Sequence, residues 1–308
     1  MTNKSNVNNY DTIYASKYTY DIESYVVKNS IDLGTKSRQN MIKGAIRNKD
    51  IEVPADSNLN YLDSFYDSST GTSGTAFKDT ETGEVIIAYT GTNAKVDKQD
   101  VVTDIESVAL GEGYHYDSAY QFYDKIADKY GTANLTVTGH SLGGNIAQRV
   151  PLKKNAQNTI VYNAAPLYFP TAPFVTAGLT KNPALALAVL VGSSDNVNDI
   201  KKDQANFTGK VTRFRTQEDP LTKASNAAGG VYIGEDYVIT DSGGHSIDAI
   251  IDDSKQMKQV QKAVQKIEQD SDLRVQKAIH TVDDQMKSVQ TMKDRYASGG
   301  LSDSEKIE

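Results

Sequence analysis

No cysteine occurs in the 308 residues, which excludes disulfides and thiolate metal sites outright. Export into an oxidising space stays open, because the absence of cysteine discriminates little. Basic residues are in the minority. Lys and Arg number 33 against 40 Asp and Glu, a net charge of −7 at pH 7, so there is no overall basic field to attract phosphates and no nucleic acid is expected as a partner. Long apolar runs are missing too: none approaches the length of a membrane span. Residues 1–9 are polar and lack the apolar core of a signal peptide. The chain therefore reads as cytoplasmic, or as secreted by a route that does not use a cleavable hydrophobic signal. Hydrophobic residues make up 38%, below the globular average, which points to a part that is solvated or waits for a partner. The length still accommodates one large α/β domain or two smaller ones.

The pattern of what is present alternates. Residues 1–60 read as a polar lead followed by a helix, with Tyr14, Tyr18, Ile22, Tyr25 and Val26 at helical spacing. Two β-rich runs, 75–78 and 85–89, joined by a turn at Glu81-Thr82-Gly83, predict a hairpin. A helix over Tyr116–Tyr130 then leads to the strand Leu135-Thr136-Val137-Thr138, with further strands at 159–163, 211–215 and 237–240. Strands alternating with helices imply a largely parallel sheet covered on both faces. Between the strands at 159–163 and 211–215, the run 183–191 is the most apolar in the chain. It reads as a core helix, or as the lid or wall of an apolar pocket.

The chemistry centres on Gly139-His140-Ser141-Leu142-Gly143-Gly144, a Gly-x-Ser-x-Gly sequence with a strand before it and a helix after it. This is the context of a nucleophile elbow, in which a strained serine is presented at the top of a sheet and Gly139 and Gly143 leave room for the close turn. A serine needs a base, and the base needs an acid to fix its tautomer. His245 and His280 are the only histidines after Ser141, and His245 lies in a loop just past a strand, so it is the expected base. Asp219 follows directly on the strand at 211–215 and is the expected acid; Glu218, Asp195, Asp199, Asp236 and Asp241 are its rivals. The oxyanion needs two donors, expected from the backbone N–H of Leu142 and from Thr92. His140 reads as structural, and His115 as a residue that lines the site or packs. No P-loop, dinucleotide fingerprint or HExxH helix is present, and this chemistry calls for no metal and no cofactor.

Four segments resemble the class 3 lipases of the α/β-hydrolase fold. They are Ile87-Ala88-Tyr89-Thr90-Gly91-Thr92, Asp100-Val101-Val102-Thr103-Asp104-Ile105, Val137 to Gly144, and Tyr162-Asn163-Ala164-Ala165-Pro166. With the Asp219 and His245 segments, the resemblance spans roughly residues 70–250. Two departures stand out: Thr90 replaces the usual arginine and Val101 the usual tryptophan. The resemblance implies a mostly parallel central sheet flanked by helices, and a Ser-Asp-His triad acting through an acyl-enzyme. It also implies a lipid substrate, phospholipid or glycerolipid, met by transient contact with a membrane surface.

From residue 251 onward Lys, Gln and Asp dominate, and glycine and proline vanish until Gly299. Met257, Val260, Val264 and Ile267, then Ile279, Val282, Met286 and Val289, keep a 3–4 spacing, with a break expected at Asp270-Ser271-Asp272. The division expected is a hydrolase domain over 1–250 and a helical extension over 251–308. That order resembles the lipase effectors of Gram-positive type VII secretion, which implies phospholipase A1-type cleavage and small helical secretion partners for 251–308. Two other readings remain. One is a soluble esterase of small esters; the other is a catalytically silent module whose helical tail binds partners.

Overall fold

The computed structural model describes residues 11–31, 33, 36–52, 57–90, 116–169, 197–227 and 229–297. Thr92, the segment 100–105, His115, Asp195 and the apolar run 183–191 lie outside them. Among the described residues seven strands form one sheet in chain order: β1 (Leu59–Asp67), β2 (Thr72–Asp79), β3 (Val85–Thr90), β4 (Leu135–His140), β5 (Asn158–Tyr162), β6 (Lys210–Thr216) and β7 (Glu235–Ile239). β1, β2 and β3 pair antiparallel, with Ser73 opposite Thr90, and every later pairing is parallel. The helices are α1 (Asp11–Lys28), α2 (Lys36–Arg47), α3 (Tyr116–Tyr130), α4 (Leu142–Lys154), α5 (Pro220–Ala227), α6 (Ile247–Ile251) and α7 (Ser254–Ala297). Residues 197–206 are helical as well. This is the α/β-hydrolase architecture, a mostly parallel sheet with helices on both faces.

β3 shows why the layers form. All six of its residues are buried, as expected of a strand covered on both sides. Val85, Ile87 and Tyr89 pack in the core that contains Phe122 and Ile126 of α3 and Ile146 and Val150 of α4. Ile86 and Ala88 pack in the second core, with Tyr18, Ile22 and Val26 of α1 and Ile42 of α2. Parallel pairing then brings the ends of β3, β4, β5 and β6 to one edge of the sheet, where the loops that follow them meet.

Three features depart from the sequence reading. α2 lies within residues 1–60, read as a polar lead followed by a helix, and β1 occupies a stretch in which no strand was expected. In β1, Asp63 and Ser64 fall inside the strand and the register shifts between Tyr61 and Asp63, so the alternation that marks a strand is broken. The buried face of α1 carries Thr12, Ser16, Thr19 and Glu23 as well as the apolar stripe. The third departure is in α7, which runs unbroken through residues 270–272. Neither Asp nor Ser removes a backbone donor, and without Gly or Pro nothing there ends a helix.

The chain divides into two units, Met1–Val260 and Gln261–Glu308. In the second, Val282, Met286, Val289 and Met292 are each at least half exposed. Among the described residues no helix is long and apolar enough to cross a membrane.

Candidate active site

The turn between β4 and α4 is built on close backbone approach. A Cβ on Gly139 would stand 2.3 Å from the Gly143 carbonyl oxygen, and one on Gly143 would stand 2.1 Å from the Tyr89 carbonyl oxygen. Both are far inside van der Waals contact, so only glycine fits at either place. Ser141, between them, has φ 57° and ψ −128°, a strained conformation for a residue with a side chain. Its carbonyl accepts from the N–H groups of Gly144 at 2.9 Å and Ala165 at 2.9 Å, which hold the strained peptide in place. The N–H of Leu142, the first residue of α4, makes no hydrogen bond among the described residues, as befits an unpaired donor of a helix start.

The structure brings Ser141, His245 and Asp219 together. The Ser141 hydroxyl donates to His245 Nε2 over 2.7 Å, and His245 Nδ1–H donates to Asp219 Oδ1 over 2.8 Å, in the tautomer this contact with a carboxylate selects. Asp219 is wholly buried. It stands three residues past the end of β6, immediately before α5, and caps that helix. Its carboxylate accepts from the N–H groups of Leu221 at 3.2 Å and Thr222 at 3.1 Å, and from the Thr222 hydroxyl at 2.5 Å. Burial pushes the Asp219 carboxyl up, but the His245 ring and the Thr222 donors more than offset it and hold the acid below the usual carboxylate range. It is thus anionic where the ring needs it.

The rivals are occupied elsewhere. Glu218 pairs with Lys223, and Asp236 with Arg213 and Arg215. Asp199 is exposed in the helical stretch 197–206 and Asp241 is an exposed turn residue with φ 55°. His280 lies on α7, in the second unit.

What sequence reasoning missed is the frame that holds the His245 loop. His140 Nε2–H and Asn163 Nδ2–H both donate to the His245 carbonyl, at 2.8 and 2.9 Å. The Thr216 hydroxyl donates to the Gly244 carbonyl at 2.6 Å, while Asn163 Oδ1 accepts from the Thr216 N–H at 2.8 Å. Asn163 therefore ties the ends of β5 and β6 to the histidine backbone, at the cost of a positive φ of 41°. Behind the loop, Gln259 near the start of α7 pairs with both backbone groups of Thr240. Burial first, and the nearby His245 second, push the His140 ring down to about 3, so it stays neutral and keeps its N–H pointed at the carbonyl. His140 is structural, as read, but its role is specific: it steadies the ring next to it, 4.9 Å between centroids. The signal was the motif at Tyr162-Asn163-Ala164, visible as a resemblance without a role attached.

Replacing Asn163 with alanine removes one donor to His245 and one acceptor for Thr216. The expected result is a kcat lower by about tenfold with KM within about twofold, since the change misplaces the ring without touching the binding surface. Steady-state kinetics on a soluble ester, with a melting curve as the folding control, checks this.

Comparison with protein families matches residues 37–222 to the Tle-like phospholipase domain of the phospholipase-like family. The match covers more than half of the chain and includes Ser141 and Asp219. Among solved structures the chain is similar to the Rhizomucor miehei triacylglyceride lipase, with 14% identity, a TM-score of 0.42, and coverage of 76% of this chain and 80% of that one. It is also similar to lipase II from Rhizopus niveus, with 12% identity, a TM-score of 0.41, and coverage of 77% and 82%. A triacylglycerol lipase from Penicillium expansum matches at 16% identity and a TM-score of 0.39, covering 59% of this chain and 70% of that one. No match was found among curated protein sequences. With more than half its length matched by one family, the chain belongs to the phospholipase-like family of Tle-like phospholipase domains, and it is a lipid ester hydrolase.

Proposed function

We propose that the chain cleaves an acyl ester of a phospholipid or glycerolipid with Ser141 as nucleophile, His245 as general base and acid, and Asp219 as the residue that orients His245. The observation that carries this reading is the continuous hydrogen-bonded line from the Ser141 hydroxyl through His245 to a buried, ionised Asp219, beginning at a strained elbow. His245 Nε2 takes the Ser141 proton as Oγ attacks the ester carbonyl. The carbonyl oxygen becomes an oxyanion, received by the Leu142 N–H and, on this reading, by Thr92. When the tetrahedral intermediate collapses, the His245 proton passes to the departing alcohol and an acyl-Ser141 ester remains. Water, deprotonated by His245, then attacks the acyl carbon, and the fatty acid leaves as Ser141 recovers its proton.

The lipid class is tested with p-nitrophenyl esters of short and long acyl chains. Faster turnover of long chains, above the concentration at which they aggregate, is expected; activity on short chains alone would move the reading to a soluble esterase. Phospholipids labelled separately at the two acyl positions distinguish A1-type cleavage.

The same proposal takes residues 251–308 as the segment that binds small helical secretion partners and directs export by a type VII-like route. Its support is the resemblance in domain order, together with the exposed Val282, Met286, Val289 and Met292 on α7. Export that persists unchanged after Met286→Asp and Val289→Asp would overturn it.

A further inference from the structure

α1 meets the sheet partly through polar pairs. Thr12 Oγ1 and the Tyr162 hydroxyl are 2.8 Å apart, Ser16 Oγ and Thr138 Oγ1 2.9 Å, and Thr19 Oγ1 donates to Thr75 Oγ1 over 3.0 Å. The next contact along the helix is of another kind. Glu23 is 2% exposed, and its Oε1 accepts from the Thr90 hydroxyl over 3.1 Å. The Thr90 hydroxyl is also paired with Ser73, while the second carboxyl oxygen of Glu23 has no hydrogen-bond partner among the described residues. A buried acid with an orphan oxygen costs stability, and simple packing of α1 does not require one.

The place it occupies gives it a use. Thr90 is the last residue of β3, and the end of that strand is the surface on which the elbow sits. A Cβ on Gly143 would lie 2.1 Å from the Tyr89 carbonyl oxygen and 2.9 Å from Thr90 Cα. Gly143 adjoins Leu142, whose N–H is the donor next to Ser141. A shift at Thr90 is therefore felt one residue from that donor, with no slack between the two backbones. We propose that Glu23 is a positioning residue for the oxyanion donor, fixing Thr90 and through it the seat of Gly143 and the direction of the Leu142 N–H. This deepens the reading of Ser141 as nucleophile and rests on it.

Glu23 does this as a neutral acid. Burial pushes its carboxyl up to about 7, against the smaller downward pull of the Thr90 and Ser73 hydroxyls. Those hydroxyls are what it meets from β3 and β2. The charged groups nearby on α1 and α6 are engaged with one another, Lys17 with Asp21 and Asp248, and His140 at the end of β4 stays neutral; none of them acts on Glu23. No cation among the described residues receives an ionised Glu23, and the cost of burying the charge outweighs the pull of the two hydroxyls, so the ionised side chain is driven toward water and releases Thr90. The hold is intact at acid pH and is lost as pH rises through about 7.

The test compares the full-length wild type with Glu23→Gln, Glu23→Ala and Ser141→Ala on the p-nitrophenyl ester the wild type turns over fastest. kcat and KM are measured from about pH 5 to about pH 9 at the isosbestic wavelength of p-nitrophenol, and melting temperatures in the same buffers. Relative to Glu23→Gln, in which His245 is the same base, wild-type kcat is expected to fall about tenfold between about pH 6 and about pH 8.5. Glu23→Gln, which keeps the neutral shape, is expected within about twofold of wild type at the lower pH. Glu23→Ala is expected to lower kcat about tenfold throughout, with KM within about twofold. Superimposable wild-type and Gln profiles, or an Ala variant with unchanged kcat, would overturn the proposal. Should Glu23→Ala fail to fold, the Gln profile decides alone. Ser141→Ala separates the two levels. If it stays active, the nucleophile reading fails and takes the Glu23 proposal with it; if it is inactive while the Gln and wild-type profiles coincide, only the Glu23 proposal fails.

Discussion

Ser141→Ala and His245→Ala are each expected to lower kcat on a lipid ester by roughly 10⁴- to 10⁶-fold, and the double variant to be no worse than the poorer single one. In the proposed mechanism the two groups act as one device. The serine hydroxyl is a poor nucleophile until Nε2 of His245, 2.7 Å away, takes its proton, and the ring has nothing to deprotonate once the hydroxyl is gone. What remains after either loss is the effect of binding and of oxyanion donors on attack by water. Losses that multiply in the double variant would mean that the two residues work independently, and the hydrogen bond between them would then be incidental. Both variants should melt close to wild type, because Ser141 is held by its backbone and the His245 carbonyl, not its ring, anchors the loop.

Asp219→Asn is the second large effect, with a loss in kcat on the order of 10³- to 10⁴-fold and KM within a few-fold of wild type. The single oxygen of asparagine can still accept from the N–H and hydroxyl of Thr222, and asparagine caps a helix about as well as aspartate, so α5 and the fold should survive. The change is chemical. The amide carries no charge to stabilise the protonated ring, and if its nitrogen faces Nδ1 the ring must turn its proton toward Ser141. A variant with unchanged kcat would show that the 2.8 Å contact between His245 and Asp219 supports only structure. Steady-state kinetics with a thermal melt in parallel separates the two.

How much of this was legible in the sequence depends on how local the cause was. The elbow could be read because its cause sits within five residues: two backbones approach so closely at Gly139 and Gly143 that only glycine fits, and that necessity is written as a motif. The alternation of strands and helices could be read because β3, β4 and β5 are buried on both faces and so appear as short apolar or β-branched runs. The polar seam of α1 could not. Thr12, Ser16 and Thr19 look like a solvated face until Tyr162, Thr138 and Thr75, from 56 to 150 positions away, are laid against them. β1 was hidden by its Asp63 and Ser64 and its shifted register. Asn163 and His140 stood in recognisable motifs, but that both aim at the carbonyl of His245 is a property of the folded sheet edge. Even Asp219, expected at a strand end, turned out to stand at a helix start, which is what supplies the donors that keep it ionised.

The central claim is that lipid ester cleavage runs through an acyl ester on Ser141. The most direct measurement is to mix the protein with phospholipid vesicles, quench with acid during turnover, digest, and weigh the peptide that carries Ser141. The expected result is release of free fatty acid together with a fraction of that peptide heavier by one acyl group, both absent in Ser141→Ala. Fatty acid release that continues in Ser141→Ala, or an acyl group found on another residue in place of Ser141, would contradict it.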